Sequence, residues 1–193
     1  MLYDDPVLYD ALMSPGAHAP YYCAVAARTG GPVLELACGT GQMIVPIARA
    51  GHAAAGLDLA PAMLAEARRK AEAAGVAVEL VQGDMRGFDL GRRFALVFIA
   101  RNSMLHLASP EDFAGLFDAV KRHLLPGGVF AFDVFNPGPK ILARPPHVRF
   151  PVMTATSAAH GGALVVEETY TYDAATQVSC STWLISAPGR KDA

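Results

Sequence analysis

Cysteine is scarce in this chain: Cys23, Cys38 and Cys180 are the only three in 193 residues, odd in number and far apart. That spacing writes neither a disulfide framework nor a paired-thiol metal site, and it suits a reducing, cytoplasmic setting. No His-Glu-x-x-His string and no paired Cys/His set occurs, so no metal is expected. An excess of one charge is lacking too. Eighteen acidic against sixteen basic side chains give a formal net charge of −2, without the basic surplus of a dedicated nucleic-acid binder. Long apolar runs are also missing. The longest, Phe94–Ala100 (FALVFIA), falls far short of the roughly 20 residues that span a bilayer. The opening ten residues place three aspartates where a signal peptide needs positive charge. Neither a nucleic acid nor a membrane is an expected partner.

What remains is a chain 52% hydrophobic, too apolar for disorder and long enough for a real core. Short runs rich in branched residues stand at Val33–Ala37, Ala53–Leu57, Val76–Val81, Phe94–Ala100 and Val129–Phe135. Each is too short for a typical helix, and Gly or Pro flanks most of them, so they read as strands. Helical stretches separate them. Gln42–Ala50 stops at Gly51; Ala62–Ala74 has Pro61 at its first turn and Gly75 just past its end. Pro110–Leu124 is opened by Ser109 with Asp112 three residues on, and closed by Pro126-Gly127-Gly128. Such alternation implies an α/β fold, a Rossmann-like doubly wound and mostly parallel sheet covered on both faces. The apolar runs Phe94–Ala100 and Val129–Phe135 are expected to be central strands buried on both sides.

Before the first strand, Pro6–Met13 and Ala17–Arg28 read as two short helices, a candidate lid over residues 1–30. After Phe135 the pattern changes. Asn136–Pro146 reads as a connection, and His147–Thr156, Ala163–Tyr172 and Thr176–Ser186 as antiparallel strands. The expected organisation is therefore a ligand-binding domain over residues 1–137 and an antiparallel β extension over 138–193, substrate-covering or dimerising. The tail Ala187–Ala193 is expected to fray.

Ligands of an open parallel sheet sit beyond the carboxyl ends of its strands. After the first strand comes Ala37-Cys38-Gly39-Thr40-Gly41, directly before a helix. Its glycines would let a ligand approach the backbone, and the same string also fits a plain tight turn. The third glycine of a dinucleotide fingerprint is replaced by Ile44. The second strand is followed by Asp58, suited to accepting two ribose hydroxyls, or to opening a helix before Pro61. After the third strand, Gly83-Asp84-Met85 fits an adenine amine with an apolar wall, or a turn.

Taken together, VLELACGTGQ, GLDLAPAML, VQGDM, FALVFIARNSMLHL and HLLPGGVFAFDVFNP resemble, in order and spacing, the class I S-adenosylmethionine-dependent methyltransferases. The resemblance is strongest to small-molecule enzymes with an N-terminal LYDxLM segment, and it covers about residues 7–137. It implies S-adenosylmethionine as cofactor and a set of contacts. Glu35, Ala37, Cys38, Gly39, Thr40 and Gly41 would lie at the cofactor's methionine portion. Asp58 would hold the ribose, with Leu59 and Met63 beside the adenosine, and Gly83, Asp84 and Met85 would hold the adenine. Ala100, Arg101 and Asn102 would face the sulfonium and the substrate, and Tyr9 would be the lid tyrosine, with Tyr21 and Tyr22 as weaker candidates. Ala37 stands where the family often has its first glycine. Glu35 would repel a pyrophosphate but suits an ammonium and a sulfonium, which separates this reading from a nicotinamide oxidoreductase.

Methyl transfer is an in-line displacement at an activated carbon, so alignment and desolvation carry most of it, with a base only for a protonated nucleophile. His106 is the candidate base because it follows the fourth strand; a packed or helix-capping histidine is the structural alternative, and His18 is a poorer second. Cys38 reads as a small packed residue rather than a nucleophile. Arg101 fits either an anionic substrate group or a solvated loop charge. The Asn/Asp-Pro-Pro-Tyr/Phe string of class members that methylate nucleobase or glutamine nitrogens is absent after the fourth strand. The expected function is methyl transfer to a small-molecule acceptor; a cofactor-binding protein without transferase activity is the alternative. Class members usually close the sheet with two further strands. Either the last hairpin supplies them, or the chain is short relative to its relatives and leaves an open edge, which a homodimer is expected to cover.

Overall fold

The structure, a computed structural model, describes residues 2–187; most of the tail that is expected to fray lies outside them. The chain divides into two compact units, one of residues 1–6 and 14–134 and one of residues 7–13 and 135–193. The segment read as an N-terminal lid is shared between them. A 3-10 turn, Leu2–Asp4, and helix α2 (His18–Thr29) belong to the first unit, while α1 (Pro6–Leu12) belongs to the second.

The first unit is built on strands β1 (Val33–Leu36), β2 (Ala54–Asp58), β3 (Val78–Gln82), β4 (Phe94–Ile99) and β5 (Leu124–Phe132). All neighbours pair in parallel, in the order β3-β2-β1-β4-β5. Helices α3 (Ile44–Arg49), α4 (Pro61–Ala73) and α5 (Pro110–His123) follow β1, β2 and β4. Chain direction along the sheet therefore reverses between β1 and β4, and the strands' carboxyl ends open a crevice there. The period-two rule shows how both faces are filled. Val33, Leu96 and Phe98 point into one cluster with Tyr22, Ile44 and Leu64. Leu34, Leu36, Val97 and Ile99 point into another with Leu116, Ala119 and Val120. A fully buried leucine contributes about 1.5–3 kcal/mol relative to exposure, so this double-sided burial fixes β1 and β4 rigidly beneath the crevice. Helix ends follow the local chemistry. Ser109 Oγ accepts the Asp112 N–H at 3.2 Å, and Pro110 stands in the first turn of α5.

One expectation is corrected. β5 is not a central strand: it lies at the edge of the five-stranded sheet, and Val129 and Phe132 are exposed. Ala131 packs against one core cluster and Phe130 against the other, both only partly buried. It also starts earlier than the sequence suggests, at Leu124, passing through Pro126-Gly127-Gly128 with a register shift opposite Phe94.

The second unit holds α1, a one-turn helix α6 (Pro139–Leu142) within the stretch read as a connection, and an antiparallel sheet of β6 (Phe150–Ser157), β7 (Gly162–Asp173) and β8 (Val178–Ser186). Leu164, Val166 and Tyr170 alternate as the buried face of the central strand β7. Glu168 on that strand accepts from Arg144 Nη1 (2.7 Å) and Ser181 Oγ (2.5 Å), and Arg144 stacks over Phe150. These strands form a sheet of their own, so the hairpin does not supply closing strands to the parallel sheet.

Candidate functional site

The loop after β1 descends into left-handed backbone three times: Ala37 at φ 55°, Gly39 at 53° and Gly41 at 77°. At Gly41 a side chain is excluded on two counts, the φ value and contacts of 3.1 Å that a Cβ would make with Ala67 Cβ and Val45 Cγ2. Ala37 adopts the same conformation without being glycine. The loop is tied to the neighbouring strand, Cys38 N–H donating to Leu57 O at 3.0 Å and Gly39 N–H to Asp58 Oδ2 at 2.7 Å. From α4, Lys70 Nζ donates to the buried Thr40 Oγ1 at 2.9 Å. Cys38 is buried, and burial raises its thiol well above the usual range, with Glu35 and Asp58 adding to the effect. It packs; it does not attack.

Beneath this loop Glu35 is 3% exposed. The Ile44 backbone bonds to its carboxylate, yet Oε2 has no hydrogen-bond partner. Burial raises its carboxyl well above the ordinary range, opposed by the Ile44 hydrogen bond, with Asp58 raising it further and Arg101 lowering it. A buried carboxylate oxygen without a donor is costly. It marks a place where a cationic donor would be stabilised.

Asp58 ends β2 with Oδ2 on Gly39 and Oδ1 accepting the Ala60 N–H at 2.9 Å. Leu59 beside it is exposed, and Met63, one turn into α4, is buried. Gly83 N–H bonds to Asp58 O at 3.0 Å, joining the loops after β2 and β3. Asp84 is engaged by its own loop: Arg86 Nη2 reaches Oδ2 at 2.6 Å and Arg86 Nε reaches Oδ1 at 3.0 Å, while Nη1 bridges to Asp112 at 3.0 Å. The Arg86 hydrogen bonds hold the Asp84 carboxyl below its usual range. Met85 packs against the cluster that contains Leu57 and Phe88.

After β4 the chain turns through Ala100, then two left-handed residues, Arg101 (φ 58°) and Asn102 (65°), into a 3-10 turn, Ser103–His106. Arg101 Nη1 donates to Gln42 Oε1 in the loop after β1. His106 is exposed rather than packed, and its Nε2 lies 2.9 Å from Tyr3 Oη, the two rings meeting edge to face.

The first unit thus gathers every residue that the sequence singles out for cofactor or catalysis except Tyr9, which lies on α1 in the second unit. Tyr22 is no lid residue: it is fully buried and stacks on Phe98 at 4.4 Å between ring centroids. Sequence reasoning misses Tyr3, Arg86 and Asp133. Asp133 carried a signal, a single acid inside the apolar run VFAFDVF. Among the described residues no group of three or more His, Cys, Asp or Glu is placed to hold a metal, and no helix is long and apolar enough to cross a membrane.

Comparison with known proteins follows the same geometry. Residues 33–128 match the family described as "Methyltransferase domain". Over 101 residues the chain is 39% identical to the dTDP-3-amino-3,6-dideoxy-alpha-D-glucopyranose N,N-dimethyltransferase of Streptomyces fradiae, covering 52% of this chain and 38% of that protein. The CcbJ methyltransferase of Streptomyces caelestis shares the fold with a TM-score of 0.75 at 24% identity, over 96% of this chain and 75% of that one. The glycopeptide N-methyltransferase MtfA, solved with S-adenosyl-L-methionine, is 25% identical with a TM-score of 0.57, over 88% and 76%. The chain spans about half the length of the curated relatives it matches.

Proposed function

We propose that the chain, whose residues 33–128 match the methyltransferase-domain family, is a class I enzyme that transfers a methyl group from S-adenosylmethionine to an amino nitrogen of a small-molecule acceptor. The observation that carries this reading is the unpartnered Oε2 of Glu35, buried below the loop of residues 37–41. The residues present fit the cofactor. A carboxylate without a donor suits the methionine ammonium, Asp58 retains lone pairs for ribose hydroxyls, and the missing P-loop lysine is no objection because the cofactor has no phosphates. Bound there, S-adenosylmethionine supplies an activated methyl group on positive sulfur. Glu35 would hold the ammonium, Asp58 the ribose, Asp84 and Met85 the adenine, and Ala100–Asn102 would border the acceptor.

The nitrogen acceptor rests on the relatives, one a dimethyltransferase of an amino sugar and one a glycopeptide N-methyltransferase. An amine reaches the crevice largely protonated at neutral pH, so a proton must leave before its lone pair attacks. His106, exposed beyond β4 with Tyr3 on its Nε2, is the group proposed to receive it. No observation favours a protein that binds cofactor without transferring methyl.

The experiment is thermal unfolding with S-adenosylmethionine, S-adenosylhomocysteine or NAD, followed by transfer of labelled methyl to dTDP-3-amino-3,6-dideoxy-α-D-glucopyranose and simpler primary amines. At about 100 times its dissociation constant, a ligand specific to the folded state adds about 2.7 kcal/mol. Stabilisation by the adenosyl pair and none by NAD is expected. No stabilisation by either adenosyl ligand rejects the reading.

A further inference from the structure

Asp133 follows β5 at the carboxyl edge of the sheet, and its backbone N–H continues the ladder to Ile99 O at 3.3 Å. Its carboxylate accepts from three separate residues, Tyr22, Arg101 and Asn102. Oδ1 accepts the Tyr22 hydroxyl at 2.7 Å and the Arg101 N–H at 3.0 Å; Oδ2 accepts the Asn102 N–H at 3.3 Å and faces His18 Nε2 at 3.7 Å. Two consecutive backbone donors therefore converge on one side chain. They belong to the two residues whose φ values, 58° and 65°, an L side chain rarely adopts. Left alone, a non-glycine pair in this region relaxes toward ordinary backbone. Something must hold it.

The holding group is itself fixed from below. Tyr22 is fully buried, stacked on Phe98 of β4, and its hydroxyl also donates to Ile99 O at 3.0 Å. Burial, then the hydrogen bond from its hydroxyl to Asp133, keeps that hydroxyl protonated far above the usual tyrosine range, so it remains a donor. The chain of contacts runs from the core ring pair Tyr22–Phe98 through Asp133 to the turn after β4. That turn carries Arg101, which reaches across to Gln42 in the loop after β1.

We infer that Asp133 is a positioning residue for methyl transfer: by binding the Arg101 and Asn102 amides, with Tyr22 bracing it, it holds the turn after β4 in the left-handed shape that borders the acceptor. This rests on the methyltransferase reading above. Asp133 touches neither cofactor nor reacting atoms in this account; it acts through the turn. The requirement is geometric, since displacement by a nucleophile needs the acceptor in line with the S–CH3 bond, and misplacement by about 1 Å costs up to about a hundredfold.

The test uses Asp133→Asn, Asp133→Ala and Tyr22→Phe in the full chain. Asparagine keeps one acceptor oxygen, alanine none, so the effects should be graded. Amide hydrogen exchange at Arg101 and Asn102 should accelerate by about tenfold in Asp133→Asn, more in Asp133→Ala, with the rest of the sheet unchanged. The dissociation constant for S-adenosylhomocysteine should stay within about threefold, while kcat for transfer to dTDP-3-amino-3,6-dideoxy-α-D-glucopyranose falls about ten- to a hundredfold. Should Asp133→Ala fail to fold, Asp133→Asn and Tyr22→Phe decide. Unchanged exchange at both amides overturns the inference, as does a loss of S-adenosylhomocysteine affinity equal to the loss in kcat. Failure of the unaltered chain to bind S-adenosylhomocysteine would instead reject the methyltransferase reading and leave the exchange result standing by itself.

Discussion

Asp58 Oδ2 takes the amide proton of Gly39 at 2.7 Å, so the acid at the end of β2 is bonded to the loop after β1 before any ligand enters. With Oδ1 on the Ala60 amide, the side chain spans two loops and the start of α4. Asp58→Ala should therefore act twice. Hydrogen bonds to a charged group contribute about 1.5–3 kcal/mol, so urea unfolding should show a loss of about 2 kcal/mol. S-adenosylhomocysteine affinity by calorimetry should fall more than about tenfold. Asp58→Asn, with one acceptor oxygen left, should fall between. Full affinity in the alanine variant would remove Asp58 from the ribose site.

A side-chain carbon added at Gly56 would stand 2.7 Å from Cys38 Sγ and 3.0 Å from Cys38 Cβ. Strand β2 and the loop after β1 thus pack on each other through a missing methyl. Gly56→Ala should cost about 1–3 kcal/mol by overpacking and weaken cofactor binding by displacing the loop. Cys38→Ala removes the sulfur, so the double variant should recover part of the loss, with a coupling of about 0.5–3 kcal/mol. Strictly additive melting shifts would show that the two positions do not meet.

The parallel core was legible because its signals are local and periodic. Runs such as VLEL and FALVFI announce strands buried on both faces, and Ser109 with Pro110 announces a helix start that the structure caps as expected. β5 was misplaced because an apolar run does not say how many neighbours a strand has; pairing order is a property of the sheet. The tight left-handed loop after β1 was readable from Gly39 and Gly41, because a glycine's conformational freedom is a local property. Asp133 was not, because its meaning comes from Tyr22 and Arg101, 111 and 32 positions away. Tyr3 was missed for the same reason, meeting His106 across 103 positions. The lone acid in VFAFDVF marks Asp133 as unusual, but a window of ten residues does not contain the partners that give it meaning.

Ala37 occupies left-handed backbone at φ 55°, a conformation that costs an L residue about 1–2 kcal/mol and glycine almost nothing. Ala37→Gly relieves that strain but frees the unfolded chain, which returns about 0.4–1 kcal/mol. The difference leaves a net stabilisation between zero and about 1.6 kcal/mol, each kcal/mol raising the melting temperature by about 2–4 °C for a chain of this size. Ala37→Val should lower it, since branching crowds that region further. A destabilised glycine variant would mean that the alanine methyl is held by packing that outweighs its strain.

Glu35 yields the sharpest prediction because its sign is fixed by burial. Burial raises its folded-state carboxyl above the ordinary 4.5, so the native ligand-free chain keeps a proton that the unfolded chain gives up. The corresponding stability is fully present below the unfolded value and is lost as pH rises toward the folded one. Glu35→Gln, permanently neutral, should therefore be more stable than the unaltered protein at neutral pH, the two curves converging below about pH 4. Ligand binding should run the other way. If Oε2 accepts the methionine ammonium, S-adenosylhomocysteine binding requires the carboxylate, so it should release a proton at pH values below the folded-state titration. Calorimetry in buffers of different ionisation enthalpy measures that proton directly. Release in the unaltered chain, none in Glu35→Gln, and a loss of affinity of about tenfold or more in the variant would join the buried acid to the cofactor. Binding without proton release, at full strength in the glutamine variant, would leave Glu35 as a buried cost with no ligand to offset it.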